Sequence, residues 1–587
     1  MLLPQPQVAE PLPGVFELGE GPRIGLPNDL EPPERRAIEA FQAECGATGG
    51  SESARIAVRV ETVPGQSSRE AQGYRLRIEP DGVELVGRSG HGLHHGIQTL
   101  RGLLAEHGRR WPCMVIDDRP DFAVRGLLYD VSRGRVPTLD TLKQLADRLE
   151  RLKINQLQLY IEHTFAFRFN PNIGRDCSPL TADDIRELDA YYTARRIELV
   201  PSIASFGHMG FVLSLPEYRH LAEVEATKPW SQMTWAERMR GLTLDPRNPE
   251  SQALIENMYG ELLPLFSGGW VNVSGDETYD LGKGKNRLVP VGELYVGHVQ
   301  WLRGLCERYG KRIMVWGDVL LKHPAMIDQV PKDVVILNWL YAPDADFDST
   351  ERFVRTGLST HVCSTTMAWD RILHDIDLAE ENIRRNAAAG LRCGAEGFLN
   401  TEWGDQGHFN VPAGAWHGID LGAVLSWNGA GPSIEDFDRE FSKRTFGDPA
   451  AAGVAALRRT AAAARKLRTW RALHAPLAEV VPPDQFRDDE CDRLRQEALM
   501  AAAIFADYHF TGDAWRQDAA ELEIACQMNA LLTDKLRMVR GEHNAFGIAC
   551  EMAARKYEGA WLARHRRSNL DDILAVFRRL AEEARSA

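Results

Sequence analysis

Eight short apolar strands alternate with helical stretches between Gly126 and Trp403, and the strands end in carboxylates, histidines and indoles. The alternation predicts an α/β protein with a parallel sheet and crossover helices. Eight such units in about 300 residues predict closure into a (β/α)8 TIM barrel, with an open doubly wound sheet as the alternative.

The strands are read in order as GLLYDVS (126–132), QLQLYI (156–161), IELVPSI (197–203), WVNVSG (270–275), IMVWG (313–317), VVILNWL (334–340), STHVCST (359–365) and GFLNTEW (397–403). Between the first two, Leu142, Leu145, Leu149 and Leu152 form one apolar helical stripe after Pro137. Before the third, Thr181 followed by Asp184 has the form of a capping box. Upstream, RIAVRV (55–60), YRLRI (74–78) and VELVG (83–87) are strands, the last two joined at Asp81-Gly82 as a hairpin, and a helix follows over 92–106. Beyond residue 450 the strands give way to long amphipathic helices, with Pro482-Pro483 as a break. The expected organisation is a small N-terminal α/β accessory domain (1–120), a barrel (121–448) and an α-helical C-terminal region (449–587). Those last helices either pack on their own barrel or form a homodimer contact.

The formal net charge of −14 excludes the basic footprint of a general nucleic-acid binder. No apolar run reaches the roughly 18 residues of a membrane span, so no membrane partner is expected. The start, MLLPQPQVAEPLPG, has neither a basic nor an apolar leader segment, and the nine cysteines are odd in number, scattered and without a CxxC pair. The expectation is a cytoplasmic protein without a disulfide framework, a structural zinc or a cofactor.

Active sites of such barrels lie at the C-terminal ends of the strands. Polar and aromatic residues there are Asp130 and Arg133, Glu162 and His163, Ser205 and His208, Asp276 and Glu277, Trp316 and Asp318, Trp339 and Tyr341, Trp369 and Asp370, and Glu402, Trp403 and Asp405. Indoles cover the apolar faces of a pyranose and carboxylates accept its hydroxyl hydrogens. Within SGDET (274–278), the adjacent Asp276 and Glu277 perturb each other's ionisation, which lets one serve as a general acid near neutral pH.

Four separated stretches resemble glycoside hydrolase family 20, the β-N-acetylhexosaminidases. They are YRLRIEPDGVELVGRSGHGLHHGIQTLRGLL with VIDDRPDFAVRGLLYDVSR, then SFGHM (205–209), NVSGDE (272–277) and TEWGD (401–405). The resemblance implies a substrate-assisted retaining glycosidase acting on N-acetylhexosamine-containing glycans, in which the 2-acetamido oxygen attacks the anomeric carbon to form an oxazolinium. It implies that Asp276 orients the acetamido group and that Glu277 protonates the leaving oxygen and then activates water. Arg125 would bind sugar hydroxyls, His208 would buttress the carboxylates, Trp316, Trp339 and Trp403 would wall the pocket, and Asp405 would accept hydroxyl hydrogen bonds. The chain departs from the family pattern at SRGR after strand 1 and at LYIEHTFAF in strand 2, where Glu162 and His163 are expected to reshape hydroxyl recognition. The family's acetamido-contacting tyrosine has Tyr341 as its candidate here, with Trp369 as the alternative wall. Two other classes remain open at this point: a metal-dependent barrel enzyme using Glu162, His163, His208, Asp276 and Glu277, and a sugar-binding protein on the same scaffold.

Overall fold

A computed structural model describes all residues except 20–23, 26–29, 47–54, 63, 477–486, 512–514, 539–545 and 587. The Pro482-Pro483 break lies outside the described residues.

The N-terminal part is a six-stranded sheet of β1 (Val8–Glu17), β2 (Ile24–Gly25), β3 (Ile56–Val60), β4 (Tyr74–Glu79), β5 (Gly82–Gly87) and β6 (Arg110–Asp118), in the order β1-β6-β4-β5-β3-β2. The β4–β5 hairpin forms where the sequence places it, with Glu79 paired to Gly82. Alternate β4 side chains, Tyr74, Leu76 and Ile78, are buried against Leu93, Ile97 and Leu100 of the helix Gly90–His107. The edge strand β1 and its partner β6 were not foreseen. β1 carries Pro11 and Pro13 and is mostly exposed, which is tolerated only where one side of a strand needs no partner.

The barrel consists of β7 (Val124–Asp130), β8 (Gln156–Ile161), β9 (Glu198–Ile203), β10 (Trp270–Asn272), β11 (Arg312–Trp316), β12 (Val335–Trp339), β13 (Thr360–Thr365) and β14 (Gly397–Glu402), all parallel. It closes through β14 on β7, from Gly397 opposite Val124 to Glu402 opposite Tyr129. Each crossover buries one apolar stripe. On the helix Leu139–Arg151 these are Leu142, Leu145 and Leu149. The helix Ala182–Thr193 begins with the expected capping box: Thr181 accepts from the Asp184 amide at 3.1 Å, and Asp184 accepts from the Thr181 amide at 2.7 Å. Such a cap is worth about 1 kcal/mol.

Among the described residues beyond Gly447 there are only helices, and they pack on the barrel of the same chain. The Phe409 ring stacks on Trp470 with centroids 3.6 Å apart, the Tyr557 hydroxyl donates to the Phe409 carbonyl at 2.8 Å, and the Trp470 indole donates to the Gln406 carbonyl at 2.7 Å. This places the segment 465–471 beside the loop that follows β14. The cysteines are all free, and all except the half-buried Cys393 are buried. Among the described residues no helix is long and apolar enough to cross a membrane.

Candidate active site

Two loops at the C-terminal ends of β9 and β10 position the carboxylate pair. β10 stops at Asn272, short of the six residues read from the sequence, because Ser274 (φ +58°) and Gly275 (φ +83°) turn into the left-handed region. Glu277 (φ +48°) and His208 (φ +55°), on the neighbouring loop, lie there too. Gly207 permits the close approach of the two loops, since a β-carbon on it would lie 2.2 Å from the Asp276 carbonyl oxygen.

In this arrangement His208 Nε2 lies 3.5 Å from Asp276 Oδ2 and 3.3 Å from Glu277 Oε2. Burial and the facing Arg133 guanidinium disfavour charge on the ring, but the two carboxylates outweigh them and raise His208 to about 10. Burial would raise Glu277, yet the close contact and charge of His208, with help from Tyr279 and Arg133, hold it down to about 2. Asp276 Oδ1 is buried and has no hydrogen-bond partner in the protein. Asp318 accepts from the Glu277 amide at 3.4 Å, and burial followed by the Asp276 charge raises it to about 6.

Arg133 crosses the floor. Its NH1 donates to Asp405 at 2.8 Å and its Nε to Glu162 at 3.2 Å, while the guanidinium stacks over Trp403 (4.7 Å) and Tyr160 (5.0 Å). Burial raises Asp405 to about 6 although Arg133 pulls the other way. On the far wall the Trp403 indole donates to the Tyr341 hydroxyl at 2.9 Å, and Tyr341 packs between Trp339 (5.1 Å) and Trp369 (5.5 Å). Together Arg133, His208, Asp276, Glu277, Trp339, Tyr341, Trp369, Trp403 and Asp405 line a cavity of about 460 Å³. Trp316 is fully buried beneath it, 6.0 Å from Trp403. A wider groove of about 930 Å³ shares Glu277, Trp369, Arg371 and Asp405 with this cavity and opens outward.

Four of the expected site residues do not line the cavity: Trp316, which lies beneath it, and three that sit elsewhere. Arg125 is at the start of β7, five residues before Asp130 and so roughly 16 Å from the site end of the strand. Its guanidinium is fully buried at the junction with the N-terminal sheet, donating to the Lys153 and Phe122 carbonyls and to Gln72, each at 2.9 Å, and stacking on Trp427 at 5.0 Å. Arg133, which the sequence showed at a strand end without a role, is the arginine of the cavity. Glu162 is buried beneath Arg133, accepts from the Tyr160 hydroxyl at 3.0 Å and is not part of the cavity wall. His163, one residue on, turns to the opposite side of the chain and stacks on Phe211 at 4.3 Å, where burial pushes it down to about 3. Because His163 faces away, the five residues considered for a metal are not gathered, and among the described residues no group of three or more His, Cys, Asp or Glu could hold one. Met239 and Arg371, which also line the cavity, were missed because they come from connecting segments without a strand-end signal.

The class these features define is a TIM barrel with an acidic, indole-walled pocket at the carboxyl ends of its strands. Residues 1–119 match the model of glycosyl hydrolase family 20 domain 2, and residues 122–370 match that of the family 20 catalytic domain. The chain belongs to glycosyl hydrolase family 20. It is 29% identical over 231 residues to a beta-hexosaminidase of Akkermansia muciniphila, covering 35% of this chain and 45% of that protein. It is 24% identical over 383 residues to a beta-hexosaminidase of Vibrio furnissii, covering 58% and 59%. The chain thus spans about half the length of curated relatives it matches. In fold it is similar to Flavobacterium johnsoniae chitobiase (TM-score 0.61, 15% identity, 96% of this chain and 98% of the other). It is also similar to Streptomyces plicatus N-acetyl-beta-hexosaminidase, solved with Thio-NAglucal (TM-score 0.61, 20% identity, 77% and 95%).

Proposed function

We propose that the protein is a retaining β-N-acetylhexosaminidase that uses its substrate's own acetamido group as nucleophile. The observation that carries this reading is the buried, unpartnered Asp276 Oδ1 beside Glu277, in a pocket walled by Trp339, Tyr341 and Trp403. A buried carboxylate oxygen without a donor is costly unless a ligand supplies one, and an acetamido N–H is such a donor. Bound there, the acetamido group points its carbonyl oxygen at the anomeric carbon, and Asp276 stabilises the positive charge that develops as the oxazolinium ring closes. The indoles enclose the acetamido methyl. Arg133 and Asp405 hold the sugar hydroxyls, donor beside acceptor.

The leaving oxygen needs a proton, and between the two groups His208 holds one more readily than Glu277. Glu277, 3.3 Å from His208 Nε2, is the carboxyl placed to deliver it, and a bound sugar must raise Glu277 from about 2 for it to carry that proton to the departing oxygen. Glu277 then takes a proton from the water that opens the oxazolinium. A binding protein has no use for this arrangement. The test is hydrolysis of paired chromogenic β-GlcNAc and β-GalNAc glycosides by the wild type and by Glu277→Gln. The wild type should cleave at least one, and the variant should be slower by about a hundredfold or more. A folded wild type inert on both would overturn the reading.

A further inference from the structure

The groove outside the sugar cavity has an electrical character opposite to that of the chain. The protein's formal net charge is −14. Yet Arg240, Lys283, Arg371, Arg465, Arg468 and Arg471 all face this one groove. Among the described residues four carboxylates serve these six cations: Arg240 pairs with Asp280 at 3.2 Å, Arg465 with Asp377 at 2.9 Å as well as with Asp375, and the rest are shared. Asp370 is shared by Arg468 NH1 at 3.1 Å and Arg471 Nε at 2.8 Å, so two side chains that are half-exposed or more divide one carboxylate. Asp375 is held by Arg465 through two bonds of 2.9 and 3.0 Å, so Arg371 reaches it only at 3.6 Å. Among the described residues no carboxylate lies within 4 Å of the Lys283 ammonium. Of the carboxylates lining the groove besides Asp370, Glu277 is matched by His208 and Asp405 by Arg133.

Arg371 stands at the boundary, lining both the sugar cavity and the groove. Burial disfavours its charge, Asp375 and Asp370 support it, and the neighbouring Arg465 and Arg468 oppose it. A bound anion would relieve that crowding. Beside the general acid, Tyr279 and Trp369 offer aromatic faces of the kind on which a second sugar ring stacks.

On the proposed reaction, the group attached to the oxygen that Glu277 protonates leaves through this groove. We propose that the groove is a leaving-group subsite for an acidic sugar, and that Arg371, Arg468 and Lys283 select substrates whose N-acetylhexosamine is linked to a residue bearing a carboxylate. Guanidinium forks match carboxylates in shape as well as charge, so preference and not mere tolerance is expected. The selectivity comes from the C-terminal helical region as much as from the barrel, because Arg465, Arg468 and Arg471 lie beyond it.

The inference rests on the glycosidase reading, and the experiment separates the two. Three substrates are compared: a chromogenic β-GlcNAc glycoside, β-GlcNAc-glucose and β-GlcNAc-glucuronic acid of the same linkage. The expected result is a kcat/KM about tenfold higher for the glucuronic acid disaccharide than for the glucose one, the scale of a charge-assisted contact. That advantage should shrink as salt rises. In the double variant Lys283→Gln/Arg468→Gln it should fall to about twofold or less, while cleavage of the chromogenic glycoside stays at the wild-type rate. If the chromogenic glycoside is cleaved and the acidic disaccharide has no advantage, this inference fails alone. If the advantage survives both substitutions and salt, it also fails. If no substrate is cleaved, the glycosidase reading fails and takes the inference with it.

Discussion

Replacing Asp276 by asparagine separates its two duties without changing its shape. The amide keeps an oxygen, so the acetamido N–H can still be accepted, but the negative charge is gone. Two consequences can be worked from the geometry. First, the charge that stabilises the developing oxazolinium is lost, and removal of one such preorganised group reduces kcat by about 10²–10³-fold, or roughly 3–4 kcal/mol. Second, His208 loses a counter-charge 3.5 Å from Nε2. At an effective dielectric of about 20 a pair at that distance is attracted by roughly 5 kcal/mol, equivalent to as many as about three pH units. His208 should therefore release its proton well below its present value of about 10. The assay is the pH profile of kcat/KM for a chromogenic β-GlcNAc glycoside. Asp276→Asn should lower the plateau by about two orders of magnitude or more and move the alkaline limb down by about two units. A variant within tenfold of wild type, with an unmoved alkaline limb, would refute both the acetamido role of Asp276 and its hold on His208.

The two arginines should separate cleanly. Arg133→Gln should reduce kcat/KM by about a hundredfold through loss of charged contacts to the sugar and to Asp405. Arg125→Gln should lower thermal stability while leaving kcat/KM per folded molecule within about twofold, as titration of active sites and a melting curve will show. Asp405, raised to about 6, carries a proton below that pH and then no longer offers a charged acceptor. The acid limb of kcat/KM should therefore fall below about pH 6, and in Asp405→Asn that limb should shift down by a unit or more over a lower plateau; a limb unchanged by the substitution would assign it elsewhere. Gly207→Ala would bring a methyl against the Asp276 carbonyl oxygen, which must move by about an ångström, and displacements of that size cost up to about a hundredfold in rate. Its kcat per folded molecule should drop by at least tenfold, and its melting temperature should fall as well, because the atom that must give way is backbone.

The barrel was legible because its strands are buried on both faces and are written as short apolar runs, of which β8, QLQLYI, appears with the boundaries read from sequence. The carboxylate pair was legible because it follows such a run directly. What failed did so where side-chain direction decides. In RGLLYDVSR an arginine stands at each end of one strand, and the motif alone does not say which end faces the site. The rule that sites lie at carboxyl ends does, and it selects Arg133. Glu162 and His163 are consecutive, so one turns inward and the other onto Phe211. The arginines of the groove had no local signal at all. Arg371 lies in the connection after β13 and reaches Asp375, while Arg468 and Arg471 come from the C-terminal region, and only folding brings those two to one carboxylate, Asp370.

A carboxylate kept free of hydrogen bonds for a ligand cannot be fixed by hydrogen bonds of its own. The site resolves this through its backbone. His208, Ser274, Gly275 and Glu277 all adopt left-handed conformations on two adjoining loops, and for the non-glycine residues these are unfavourable by about 1–3 kcal/mol each. They persist because the loops are locked to the barrel: the Ser205 hydroxyl donates to the Val273 carbonyl at 2.7 Å, the Glu277 amide donates to Asp318, and Gly207 seats against Asp276. The direction of Asp276 is thereby set by its main chain. Its Oδ1 stays open, while its Oδ2 faces His208 Nε2 at 3.5 Å. The folding energy of the barrel is converted into the placement of one unpaired oxygen, the atom on which the proposed chemistry depends.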